Sequence, residues 1–177
     1  MKIIIVGPKQ SGKSSLANFL ASPGATNVGN ASAPYAPTAG TRILETTLQG
    51  QDVELWDVSG DQQYESCWNA IMQGQKQNDE RLNGVVLVYN PEIPGHDQEV
   101  GLWYDQFVKN AGIPDSSCLV LVHRVDPKGG YRSKGPPKLE NCVVHNTTFA
   151  GNSEVRDHFE VFVNSLTGGG NFGGGRK

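Results

Sequence analysis

A chain of 177 residues with 18 acidic and 15 basic side chains, net charge −3, is one ordinary domain with a core to bury and no basic field to hold nucleic acid. No apolar stretch reaches the roughly twenty residues of a membrane span, no signal peptide precedes the first strand, and neither Lys2 nor the Gly-Gly-Gly-Arg-Lys end offers a lipidation acceptor, so no direct membrane anchor is expected. Cys67, Cys118 and Cys142 are odd in number, widely spaced and set in apolar segments, which reads as buried free thiols in a reducing compartment.

The chain opens with a strand over residues 2–6, Lys-Ile-Ile-Ile-Val, and a helix follows the loop over 7–14. Residues 22–40 are small, polar and Pro-rich and read as a long mobile loop. Strands are predicted over 42–48 and 52–57, joined by the turn Gln49-Gly50-Gln51. Tyr64, Cys67, Trp68, Ile71 and Met72 recur at helical spacing. Residues 73–83 read as a disordered polar insertion. A buried strand follows over 85–89. Val100, Trp103, Tyr104, Phe107, Val108 and Ala111 mark the next helix, and 118–122 is another buried strand. Residues 124–138 are rich in Gly, Pro and Lys, with no apolar period where a helix would be expected. A last strand is predicted over 141–144, then a helix carrying Val155, Phe159, Phe162, Val163 and Leu166, capped by Asn152 or Ser153. The alternation predicts an α/β fold, a mostly parallel six-stranded sheet with helices on both faces. Residues 1–166 make the domain, and 167–177 a disordered Gly-rich tail.

Gly7 to Ser14 read Gly-Pro-Lys-Gln-Ser-Gly-Lys-Ser between that first strand and helix, the phosphate-loop pattern in its proper setting. Gly7 and Gly12 let successive N–H groups converge on phosphate, and the helix N-terminus adds its positive end. Gly7, Lys9, Gln10, Ser11, Gly12, Lys13, Ser14 and Ser15 are the candidate phosphate ligands, with Lys13 reaching the β- and γ-phosphates and Ser14 ligating Mg²⁺. Thr38, in Pro37-Thr38-Ala39-Gly40 of the mobile loop, and Asp57, in Trp56-Asp57-Val58-Ser59-Gly60 at a strand end, follow in the order of a small GTPase. There Thr38 offers its hydroxyl to Mg²⁺, Asp57 holds the ion through a water, and the Gly60 N–H meets the γ-phosphate. The run of arginines that a nucleoside monophosphate kinase needs is not evident.

The stretches GPKQSGKSSLANFL, PTAGTRILE, ELWDVSGDQQYESCW and GVVLVYNPEIPGH resemble the Rab-like small GTPases of intraflagellar transport, a branch of the Ras superfamily. The resemblance is good over residues 2–108 and looser beyond. It implies a Ras-like fold, GTP or GDP with Mg²⁺, and a place in the cytoplasm and the cilium or flagellum. It also implies partnership with coiled-coil subunits of the transport B complex.

Two positions depart from a hydrolysing relative, so no catalytic residue is assigned. Asp61 stands where a glutamine would orient the attacking water, and a carboxylate cannot donate to the γ-phosphate. At about 4 Å two like charges cost roughly 4 kcal/mol at an effective dielectric near 20. Lys9 replaces a glycine, where it either adds a phosphate cation or obstructs an arginine supplied in trans. Gln62 or Gln63 could stand in for the missing glutamine only after a register shift. For base recognition, His123-Arg124-Val125-Asp126 replaces Asn-Lys-x-Asp. Asp126 can accept from guanine N1–H and its amine, Arg124 can lay its stem on the purine, and His123 cannot bridge as an amide does. His145-Asn146-Thr147 is given no role, and His96, His145 and His158 show no metal spacing. Trp68, Trp103 and Tyr104 read as core, and Tyr35 as a lid over the nucleotide.

Together these features predict a nucleotide-ordered docking module with weak or no hydrolysis. A switching GTPase with slow, partner-activated turnover and a structural subunit with an empty pocket are the alternatives.

Overall fold

The computed structural model describes residues 1–22, 24, 36–77, 81–124, 133–148 and 152–168. Among these, β1 (Lys2–Val6), β2 (Thr41–Leu48), β3 (Gln51–Val58), β4 (Gly84–Tyr89), β5 (Cys118–Arg124) and β6 (Val143–Thr148) form one sheet in the order β2-β3-β1-β4-β5-β6. Only β2 and β3 pair antiparallel. Their two-residue turn places Gln49 and Gly50 at φ 49° and 80°, the left-handed values that match hairpin twist.

Period-two alternation of branched residues splits the core into two layers. Ile4, Val6, Leu87 and Val120 face one side, where α2 (Glu65–Gln77) and α3 (His96–Tyr104) lay down Trp68, Ile71, Val100 and Trp103. Ile3, Ile5, Val86 and Leu119 face the other, under Leu16 and Leu20 of α1 (Lys13–Ala21) and Val155 and Phe159 of α4 (Asn152–Leu166). This is the Ras-like α/β sheet expected. The chain leaves β1 toward β2 and β3 on one side and finds β4 on the other, so a crevice opens at the carboxyl ends of β1 and β4, where such folds bind ligands.

Four expectations need correction. Residues 73–77 are not a disordered insertion but the last turn of α2; glutamine and lysine are good helix formers, so their polarity is no break. At the far side of that stretch Leu82 is buried, and Asn83 ties to β1 through the Lys2 N–H and carbonyl. The last strand is Val143–Thr148 rather than 141–144. His145, Asn146, Thr147 and Thr148 are polar, yet they pair in register with Leu121 to Arg124 at the sheet edge, where polar residues are tolerated. The helix expected around residues 100–111 starts earlier, at His96, and ends in a π-helical turn, Asp105–Lys109. Finally, α4 begins at Asn152, so Asn152 and Ser153 stand inside its first turn instead of capping it.

The described part of the β5–β6 connection holds only a single 3-10 turn, Pro137–Leu139. Most of the loop over 22–40, the segment 125–132 and nearly all of the tail lie outside the described residues.

Candidate functional site

The phosphate loop is shaped by what it leaves no room for. A Cβ on Gly7, at φ 144°, would sit 2.0 Å from the Val88 carbonyl oxygen of β4, and one on Gly60 would meet Gly7 O at 2.6 Å and Lys9 N at 2.7 Å. The loop therefore packs backbone to backbone against β4 on one side and against the end of β3 on the other. Gln10 and Gly12 adopt φ of 60° and 91°, the left-handed conformations that turn successive N–H groups inward. His96, at the start of α3, braces the loop from beneath. It is buried and accepts from the Asn90 N–H at 3.2 Å, and burial pushes its pKa down.

Lys13 lies along this cradle, its Nζ donating to Pro8 O at 2.5 Å and to Ser11 Oγ at 3.3 Å. Burial pushes its pKa down to about 8, with the Asp57 charge opposing. Gly7, Lys9, Gln10, Ser11, Gly12, Lys13, Ser14 and Ser15 thus occupy one continuous loop and helix start, and Gly60 touches it. A cleft of about 230 Å³ is lined by Lys9, Lys13, Ser14, Thr38, Gly60 and Asp61 among others.

Three distant segments meet at the cleft floor. Ser14 Oγ lies 2.7 Å from Thr38 Oγ1, which donates to Asp57 Oδ2 at 3.2 Å. Asp57 is fully buried, and its Oδ1 has no hydrogen-bond partner. Two hydroxyls and a carboxylate with a spare oxygen are a hard donor set that fits Mg²⁺, and the inward-turned loop fits a polyphosphate.

The sequence reading missed the ion pairs that flank this floor. Arg42 of β2 reaches Asp57 Oδ2 through Nε at 3.1 Å and Nη2 at 2.7 Å. At the mouth, Lys9 Nζ is 2.6 Å from Asp61 Oδ2. The two departures from a hydrolysing relative are therefore partners, and Lys9 leads the contacts that hold the Asp61 carboxyl below its usual range. Gln63 donates to the same carboxylate from its N–H at 3.1 Å and from Nε2 at 2.9 Å, so it is already engaged rather than aimed into the cleft. Trp68 donates to Ser59 O at 3.0 Å and packs on Trp103 at 4.4 Å between ring centroids, so the 59–61 segment is tied to α2 and the core.

At the opposite end, His123 and Arg124 are buried where β5 ends. His123 Nδ1 lies 3.0 Å from Thr147 Oγ1, and burial pushes the imidazole down to about 4, so it is neutral. The bond joins β5 to β6, and the segment His145-Asn146-Thr147 supplies structural partners here. Thr147 holds His123, while Asn146 accepts from Ser133 N and donates to Ser133 O, both at 2.9 Å. Tyr35 and Asp126 lie outside the described residues.

The family model described as Ras of Complex, Roc, domain of DAPkinase matches residues 2–126. The intraflagellar transport protein 22 homolog of Danio rerio is 35% identical, covering 94% of this chain and 89% of its own, and that of Homo sapiens is 34% identical, covering 93% and 89%. Among solved structures, the GTP-bound T. brucei IFT22/74/81 crystal structure aligns over 95% of this chain and 97% of its own, with 28% identity and a TM-score of 0.71. GDP-bound T. brucei IFT22, at 24% identity, covers 95% and 96% with a TM-score of 0.69 and speaks to the fold alone.

Proposed function

The chain belongs to the intraflagellar transport protein 22 family of Ras-like small GTPases, and we propose that it binds GTP or GDP with Mg²⁺ and uses the nucleotide to order a docking surface rather than to drive turnover. One observation carries this reading: Thr38, borne by the loop before β2, bonds both Ser14 of the phosphate loop and Asp57 of β3. A ligand on the loop thereby acts on the segment leading into β2. The phosphate-loop N–H groups, Lys9, Lys13 and the Gly60 N–H bind the phosphates. Ser14, Thr38 and Asp57 hold the ion, which supplies charge neutralisation there. Arg124 and Asp126 take the base, with His123 bracing β5 against β6.

Weak hydrolysis follows from Asp61. Its carboxylate accepts from Lys9 and Gln63, so it offers no donor to the γ-phosphate, and Gln63 is engaged with it. The proposed docking partner is a coiled-coil pair of the ciliary transport B complex; the solved T. brucei complex of IFT22 with 74 and 81 supports a partner from that transport machinery, and the proposed place of work is the cytoplasm and the cilium or flagellum. Titrating GTP, GDP and ATP against the purified chain, then repeating a pull-down of that pair with each nucleotide, tests both parts. Binding of both guanine nucleotides over ATP and nucleotide-dependent capture are expected. Equal ATP binding overturns the base assignment, and capture indifferent to nucleotide overturns the docking role.

A further inference from the structure

Arg42 stands directly opposite Asp57 in the β2–β3 register. Both of its contacts go to one oxygen, Oδ2, which also accepts from Thr38. Oδ2 is thus saturated, while Oδ1 has no hydrogen-bond partner. The side chains differ sharply in exposure, 40% for Arg42 and 0% for Asp57. A fully buried carboxylate beside a phosphate site suffers twice, from its own desolvation and from the negative charge of the nucleotide. A divalent cation relieves both when it is present, whereas a guanidinium built into β2 relieves them at all times. The fork also fixes the carboxylate in orientation, which a lysine amine could not do.

We infer that Arg42 is a positioning residue, a resident cation that holds Asp57 by Oδ2, keeping the nucleotide site assembled when Mg²⁺ is withdrawn and leaving Oδ1 to the ion. This deepens the guanine-nucleotide reading above and rests on it. The Ser14–Thr38–Asp57 contacts fit the inference, since Thr38 meets Asp57 at the same oxygen that Arg42 grips.

The test is the release rate of a fluorescent GDP from the full chain in Mg²⁺ and in EDTA, read as the ratio of the two. Arg42→Gln is expected to raise that ratio about ten- to a hundred-fold over the unaltered protein, the span for losing a charge-assisted bond. Arg42→Gln added to Asp57→Asn changes nothing further, because no buried anion remains to be held. That cycle separates positioning from a merely structural loss. If Arg42→Gln fails to fold, Arg42→Lys serves, with a ratio at least ~3-fold above the unaltered protein because one amine replaces a two-nitrogen grip. An unchanged ratio in the variant that folds overturns the inference alone. Failure of the unaltered chain to bind GDP at all overturns the guanine-nucleotide reading, and the inference with it.

Discussion

The two ends of the cleft are built by different physics. At the phosphate end, charge is set against charge at close range, with Lys9 on Asp61, Arg42 on Asp57 and Lys13 between them. At the base end neutral hydrogen bonds join the strand ends, His123 to Thr147 and Asn146 to Ser133. The phosphate end can therefore respond to a charged ligand, while the base end fixes the strand ends from which a ligand would be read. What links them is backbone: Gly7 seated on Val88 in the strand beside β5.

Breaking that seat should have the largest effect. Gly7→Ala forces a Cβ into the Val88 carbonyl at an unfavourable φ, and should cost more than ~3 kcal/mol in urea unfolding. Retention of full stability would mean that the loop does not pack as described.

Acid should act next, and mainly on the base end. The His123 pKa is about 4 in the folded chain against 6.5 for the free side chain, so between those values the unfolded chain binds more protons than the folded one. Stability is intact above pH 6.5 and is lost as pH falls toward 4, by roughly 3 kcal/mol if His123 acts alone. His145, lowered by burial and by His158 stacked at 3.6 Å, pushes the same way. Unfolding of His123→Gln across this range should show a flatter profile.

Alkali separates the ends in the other direction. Lys13 loses its proton above about pH 8 in the folded chain, so nucleotide affinity should fall beyond that point, by up to about tenfold per pH unit. Stability without nucleotide should rise between pH 8 and 10.5, because there the unfolded lysine holds more protons than the folded one. Isothermal titration from pH 7 to 9.5 checks the first effect and thermal melts check the second. Smallest of all, Thr147→Val removes one buried neutral bond and should cost about 1 kcal/mol in urea unfolding.

Much of the fold was legible because its signals are local. The strand-loop-helix at Gly7 to Ser14 and the branched runs of β4 and β5 need only their own neighbours. The edge strand β6 and the last turn of α2 were misread because polarity was taken for irregularity, when an edge strand accepts polar residues and glutamine and lysine form helix readily. The ligand-like residues Ser14, Thr38 and Asp57 could be found from motif order. Their flanking ion pairs could not, since Lys9 and Asp61 come together only through tertiary packing. Arg42 is the instructive case, because the expected three-residue turn Gln49-Gly50-Gln51 is one residue too long and would place Arg42 opposite Val58. Counting outward from Leu48 opposite Gln51 brings Arg42 opposite Asp57, so the signal lay in the hairpin register.

The central claim is that the phosphate end grips a nucleotide more than it helps to consume one. Single-turnover hydrolysis of preloaded GTP tests it most directly, run on the unaltered chain and on Asp61→Gln. The account predicts retained GTP in the unaltered chain, with hydrolysis below about 10⁻⁴ per second, and a faster rate in the glutamine variant. Hydrolysis by the unaltered chain as fast as by Asp61→Gln would contradict it.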